Sequence, residues 1–151
     1  MNDRRRFLQV LGAAALAISA GVPQGCASAA PQQGTEPHGL IKGPLATSVA
    51  VGSLAPVGDQ AVVLGRDAGG LYAMTAICTH AQCNIRDSGT VSASGLSCGC
   101  HGSQFDANGN VIQGPATSPL RHFEVLIETD GTITINADKE VASSVRTPVT
   151  G

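Results

Sequence analysis

The chain has 151 residues and a formal net charge of −2, and its 42% hydrophobic content comes mostly from Ala and Val, with three Phe, one Tyr and no Trp. That length suits one small domain with appendages, and a core this thin favours a staple or a metal. With Asp3, Arg4, Arg5 and Arg6 set aside, 6 basic residues stand against 10 acidic ones, so no basic patch remains and the composition argues against a nucleic-acid partner.

Residues 1–29 run from a basic start through an apolar stretch to small residues, the layout of an export signal. Arg4 to Gln9, "RRRFLQ", resembles the twin-arginine export motif, with Asp3 where Ser or Thr is usual. That route carries folded proteins and suits a chain whose cofactor is inserted before export. The fate of the signal stays open between three outcomes. Ala27-Ser28-Ala29 fits a cleavage site. Cys26 after Gly25 offers a lipidation site, although Pro23 and Gln24 make it a poor one. Phe7 to Val22 offers an uncleaved anchor, but as a helix it would span only about 24 Å of a bilayer core about 30 Å thick. A periplasmic location follows, with or without a membrane tether. Residues 30–45, rich in Pro, Gly and Gln, read as a flexible linker, with His38 as an exposed linker histidine.

From residue 46 to 140 the pattern is that of short strands: 47–51, 61–66, 71–77, and more weakly 89–93 and 95–97. Residues 67–70, "DAGG", predict a hairpin between the second and third. Residues 122–129 and 132–136 alternate polar and apolar positions around Asp130-Gly131, a strong hairpin signal. His122 opens the first of these and is expected to be half exposed. No helical periodicity follows residue 46, so the expectation is an all-β, small antiparallel sandwich or barrel. Residues 141–151 read as a frayed C-terminal tail.

Two loops at strand ends concentrate the chemistry. "CTHAQC" (78–83) and "CGCHGS" (98–103) hold four of the five Cys and two of the four His. The residues alone admit three readings. Structural zinc accepts two Cys and two His, but not at these spacings, and it leaves two Cys over. A framework of two disulfides suits an exported chain but leaves His80 and His101 unexplained. A two-iron, two-sulfide cluster with mixed ligands uses both residue types.

Here the sequence resembles the Rieske iron–sulfur proteins over roughly residues 46–137. Cys78-Thr79-His80 matches the family's C-x-H motif, and Cys98-Gly99-Cys100-His101 its C-x-x-H motif. The resemblance implies a [2Fe-2S] cluster in a subdomain at one tip, with Cys78 and Cys98 on one iron and His80 and His101 on the other. Exchanging two thiolates for neutral rings leaves the cluster less negative, and such centres lie at about −150 to +300 mV against about −400 mV for plant-type ferredoxins. The free ring nitrogens would couple proton to electron uptake. In the high-potential branch a pair such as Cys83 and Cys100 forms a disulfide clamping the loops. For a loop of this length the chain-entropy model gives roughly 3 kcal/mol. Ser103 matches a serine that donates to a cluster sulfide and raises the potential. Phe105 stands where quinol-oxidising members carry a Tyr, so a lower potential is expected. Pro115 and Pro119 belong to "GPATSPL" (114–120), which resembles the proline loop covering the cluster's third side.

The resemblance implies an electron-transfer component rather than a catalyst on its own. One expectation is the iron–sulfur subunit of a quinol–cytochrome c reductase, partnered by cytochrome b, quinol and a c-type cytochrome. The alternative is an electron-transfer subunit or carrier for another exported oxidoreductase, of the arsenite oxidase type. Phe105, and Ala81 where Leu is usual, favour the alternative. A self-sufficient oxygenase needs a second iron held by two His and a carboxylate, and only His38 and His122 are left to supply it.

Overall fold

The computed structural model describes residues 33–150; the stretch expected to be an export signal, with Cys26, lies outside them. Ten strands form two antiparallel sheets among the described residues. In chain order these are β1 (Leu40–Leu45), β2 (Ser53–Pro56), β3 (Val62–Asp67), β4 (Gly70–Thr75), β5 (Gly89–Ser92), β6 (Gly95–Cys98), β7 (Gln104–Asp106), β8 (Val111–Gln113), β9 (His122–Ile127) and β10 (Thr132–Val141), with a one-turn helix α1 (Ile85–Ser88) before β5. The larger sheet has the order β1-β10-β9-β4-β3-β2 and the smaller β5-β6-β7-β8. The chain is thus nearly all β, as expected from its turns and short apolar runs.

Strands β3 and β4 explain how the two sheets share one body. All of β4 and Val62–Gly65 of β3 are buried on both faces, so these stretches read as apolar runs. Val63, Tyr72 and Met74 point to a core shared with Ile77, Cys78, Leu96, Cys98 and Phe105. Their neighbours Val62, Leu64, Leu71 and Ala73 point the other way, to Phe123, Val125, Ile133 and Ile135. A slip of one residue would exchange these two sets, which fixes the register. Ile41 of edge strand β1 and Val57, just past the opposite edge strand β2, also share the second core, so the larger sheet curls.

The smaller sheet is an insertion between β4 and β9, and those two strands pair at its neck through Ala73–Phe123 and Met74–His122. Everything from Ala76 to Arg121 projects from that neck. The turn between β7 and β8 is fastened back to it: Tyr72 Oη donates to the Ala107 carbonyl at 2.9 Å, and His122 Nε2 meets the Asn108 carbonyl at 3.0 Å.

Several expectations are corrected. Residues 40–45 are not linker but strand β1, because β10 is long enough to offer them a free edge and Ile41 drops into the core. Residues 47–51 are not a strand. Ser48 Oγ bonds back to the Leu45 carbonyl at 2.7 Å, and residues 46–48 make a 3-10 turn. His122 is 2% exposed rather than half exposed, stacked on Tyr72 with ring centroids 6.0 Å apart. The described part of the C-terminal segment, residues 141–150, is not frayed. Thr147 bridges to Leu71, and Arg146 lies 4.3 Å over the Tyr72 ring while binding Asp67 and Asn108.

Candidate metal centre

The two cysteine-rich loops are structural twins. In the first, Cys78 N–H donates to the Cys83 carbonyl and Gln82 N–H to the Cys78 carbonyl, both at 2.9 Å. In the second, Cys98 N–H donates to the Ser103 carbonyl at 2.8 Å and Gly102 N–H to the Cys98 carbonyl at 3.0 Å. Each is a six-residue loop closed by the same two bonds. Helix α1 joins them: Asn84 caps it by accepting from Arg86 N–H, and the Ser88 carbonyl accepts Gly99 N–H at 2.8 Å.

The twin loops bring together the six residues that the sequence singles out. Cys83 and Cys100 are bonded as a disulfide, with Cα atoms 6.6 Å apart. Cys78 and Cys98 are free thiols, each 1% exposed. The sulfurs of Cys83, Cys98 and Cys100 lie within 4.8 Å of one another, but two of them are bonded together, so only Cys98 in that trio keeps a free thiol to offer a metal. Burial raises the Cys98 thiol above its usual value, and the neighbouring Cys78 raises it further. Bound metal takes the place of such protons. His80 and His101 are exposed, their rings edge-on with centroids 4.9 Å apart. Two buried thiols and two exposed imidazoles, split evenly between two loops, fit the donor set of a mixed-ligand two-iron cluster.

A third loop, Gly114–Leu120, is bound to both. Thr79 Oγ1 donates to the Ser118 carbonyl at 2.6 Å, and Ala116 N–H donates to Ser103 Oγ at 3.0 Å. Gln113 Nε2 reaches the Gly102 carbonyl at 3.2 Å. Ser103 is fully buried, and accepting from Ala116 leaves its hydroxyl proton for another acceptor. Phe105, at 1% exposure, packs in the core with Leu96, Cys78 and Cys98. Pro115, after a cis peptide bond, and Pro119 lie exposed at the rim. His38 is exposed and bonded through its backbone to Gln60.

Sequence reading missed Gln82, Thr79 and Gly99. One signal was available: the spacing from Cys78 to Cys83 equals that from Cys98 to Ser103, which marks equal loops.

A family model for the Rieske [2Fe-2S] domain matches residues 47–124. The chain is 46% identical over 70 residues to a "Cytochrome b6-f complex iron-sulfur subunit" of Synechococcus sp. (strain WH7803), covering 46% of this chain and 38% of that protein. It is 34% identical over 85 residues to the protein of the same description from Chlorobaculum tepidum, covering 56% and 45%. The chain thus spans less than half the length of these curated relatives. A solved structure, the cyanobacterial plasma membrane Rieske protein PetC3 from Synechocystis PCC 6803, aligns at 23% identity and a TM-score of 0.43, covering 56% of this chain and 86% of that one.

Proposed function

Because this chain belongs to the Rieske [2Fe-2S] domain family, and so carries a [2Fe-2S] cluster, we propose that Cys78 and Cys98 hold one iron of the cluster and His80 and His101 the other. We propose further that the protein is the exported iron–sulfur subunit of a quinol–cytochrome c reductase of the cytochrome bc type. In this reading residues 1–29 direct twin-arginine export and leave the body in the periplasm, tethered to the membrane or released. The observation that carries the proposal is the division of labour in the twin loops: thiols buried, imidazoles at the surface, and a disulfide joining the loops.

When bound, the cluster supplies a reversible one-electron step. The residues of the chain decide where that electron goes. Ile77, Leu96 and Phe105 pack around the two thiols and keep water from them. His80 and His101 hold the exposed edge, where a partner docks. Ser103 has a hydroxyl proton free to stabilise added negative charge. The likeness to cytochrome b6-f subunits supports quinol as donor and a c-type cytochrome as acceptor. Phe105 favours a second reading, because a buried ring without a hydroxyl gives the cluster no donor there. In that case the protein serves another exported oxidoreductase, of the arsenite oxidase type.

The test is spectroscopic and then kinetic. Electron paramagnetic resonance of the reduced protein is expected to carry a histidine-ligated signal that His80→Ala and His101→Ala each abolish. A colourless zinc-loaded product, or a spectrum indifferent to both substitutions, overturns the ligand assignment. Reduction by a quinol and reoxidation by a c-type cytochrome support the first reading; inertness to quinol supports the second.

A further inference from the structure

Gln33 to His38 run as a strap along the flank of the first ligand loop, upstream of the residues matched by the family model. Three attachments hold the strap. Gln33 pairs antiparallel with Cys83, and Gly34 N–H donates to the Gln82 carbonyl at 2.6 Å. Glu36 Oε2 accepts from Thr75 Oγ1 at 3.2 Å and forms an ion pair with Arg121 at 2.6 Å. His38 and Gln60 exchange two bonds, the His38 N–H to Gln60 Oε1 at 2.8 Å and the Gln60 Nε2 to the His38 carbonyl at 2.9 Å.

The first two attachments fall on the roots of the first and third loops. Gln82 and Cys83 close the first loop, and Cys83 is bonded to Cys100 in the second. Thr75 ends β4 just before the first loop, and its Oγ1 accepts Ile77 N–H at 3.0 Å. Arg121 ends the third loop, and its carbonyl accepts Thr75 N–H at 2.9 Å. Gly34 sits where a Cβ would stand 2.5 Å from Ile77 Cδ1 and 2.9 Å from Asn84 Cβ. Ile77 and Asn84 pair with each other and bracket Cys78–Cys83. A spacer needs no such seating, and fixing its backbone costs conformational entropy that only these bonds offset.

We propose that this strap is a positioning element for the metal centre, with Gly34 and Glu36 as its positioning residues. Gly34 lets the strap lie flat against the first loop. Glu36 ties the roots of the first and third loops, and the disulfide carries the restraint to the second. The strap is also the covalent route from residues 1–32 into the body, so a change in how the N-terminal side is held reaches Gln82 and Cys83 first. The inference rests on the ligand assignment proposed above for Cys78, His80, Cys98 and His101.

Two variants of the full-length, cluster-loaded protein test it. Gly34→Ala changes no charge and presses on Ile77 and Asn84. Glu36→Gln removes an ion pair from a half-exposed side chain and leaves the core untouched. The measurements are midpoint potential, the g values of the reduced cluster, the rate of iron release to a chelator, and thermal unfolding. Gly34→Ala is expected to shift the potential and g values and to speed iron release about tenfold, the scale for losing a partner one shell out from a metal ligand. Glu36→Gln is expected to speed release by a smaller factor. If both variants keep the wild-type potential, g values and release rate, the strap is a packing feature only, whatever happens to unfolding. Should Gly34→Ala not fold, Glu36→Gln decides alone. A wild-type protein without a histidine-ligated signal overturns the ligand assignment and the strap proposal with it. A normal wild-type signal with unmoved variants overturns the strap proposal alone.

Discussion

Gln82 and Gly102 are counterparts in the twin loops: each is the fifth residue, each has a positive φ (58° and 83°), and each donates its N–H to the cysteine carbonyl four residues earlier. Left-handed backbone costs a residue with a Cβ about 1–2 kcal/mol, so only the second loop carries the residue its geometry favours. Gln82→Gly is expected to raise stability by about 0.5–1 kcal/mol, and Gly102→Ala to lower it by about the same. Thermal unfolding of the cluster-loaded protein measures both, and a destabilised Gln82→Gly would mean that the side chain itself supports the loop.

Gly99 is constrained by contact. A Cβ there would collide with the Ser88 carbonyl oxygen, the atom that accepts the Gly99 N–H. Gly99→Ala therefore forces the second loop away from α1. The expected cost is about 1–3 kcal/mol, together with reduced iron and sulfide content in purified protein. Wild-type iron content in this variant would show that the loop and helix separate without disturbing the site.

Ser103 and Phe105 are expected to set the potential in opposite ways. Ser103→Ala removes a buried hydroxyl beside the site and lowers the midpoint potential. Phe105→Tyr introduces a donor where the chain has none and raises it. Redox titration of the two variants against wild type checks both signs, and an unchanged potential in either rejects the role given to that residue.

Asp67 anchors the C-terminal segment, and its titration predicts an acid limit. Burial pushes its carboxyl up, but the Arg146 hydrogen bond, the Gly69 N–H, the Arg146 charge and the Gly70 N–H outweigh that and leave it below 3.8. A lowered folded value gives stability that is complete above pH 3.8 and is lost as pH falls through the folded value. Arg146→Ala is expected to cost about 1–2 kcal/mol at neutral pH and to flatten this acid limb. Urea midpoints measured across the acid range would show it.

His122 gives a second slope at higher pH. Burial lowers its pKa from 6.5; the Asn108 carbonyl bond opposes this, and the Arg146 charge adds to it. Its Nδ1 has no partner among the described residues. The folded state favours the neutral ring, so its contribution is full above pH 6.5 and shrinks as pH falls from there toward the folded value. His122→Gln, whose amide can still reach the Asn108 carbonyl, is expected to remove that slope, seen as urea midpoints that no longer fall as pH drops below 6.5.

The sequence by itself determined the chemistry and the class of fold. Cys78 and His80 stand two residues apart, Cys98 and His101 three, and Asp130-Gly131 makes its hairpin locally, with Asp130 Oδ1 accepting Thr132 N–H at 2.9 Å. Such signals lie within a few residues of one another and survive without a partner. The tertiary structure decided what depends on distant neighbours. Residues 40–45 became a strand because β10 offered an open edge. His122 became buried because Tyr72 and the Asn108 turn closed over it. Residues 33–38 became a strap because Gln82, Thr75 and Gln60, far along the chain, supplied the bonds. In each case the local pattern is too short or too polar to hold a shape, and the decisive hydrogen bonds come from residues that only folding brings near.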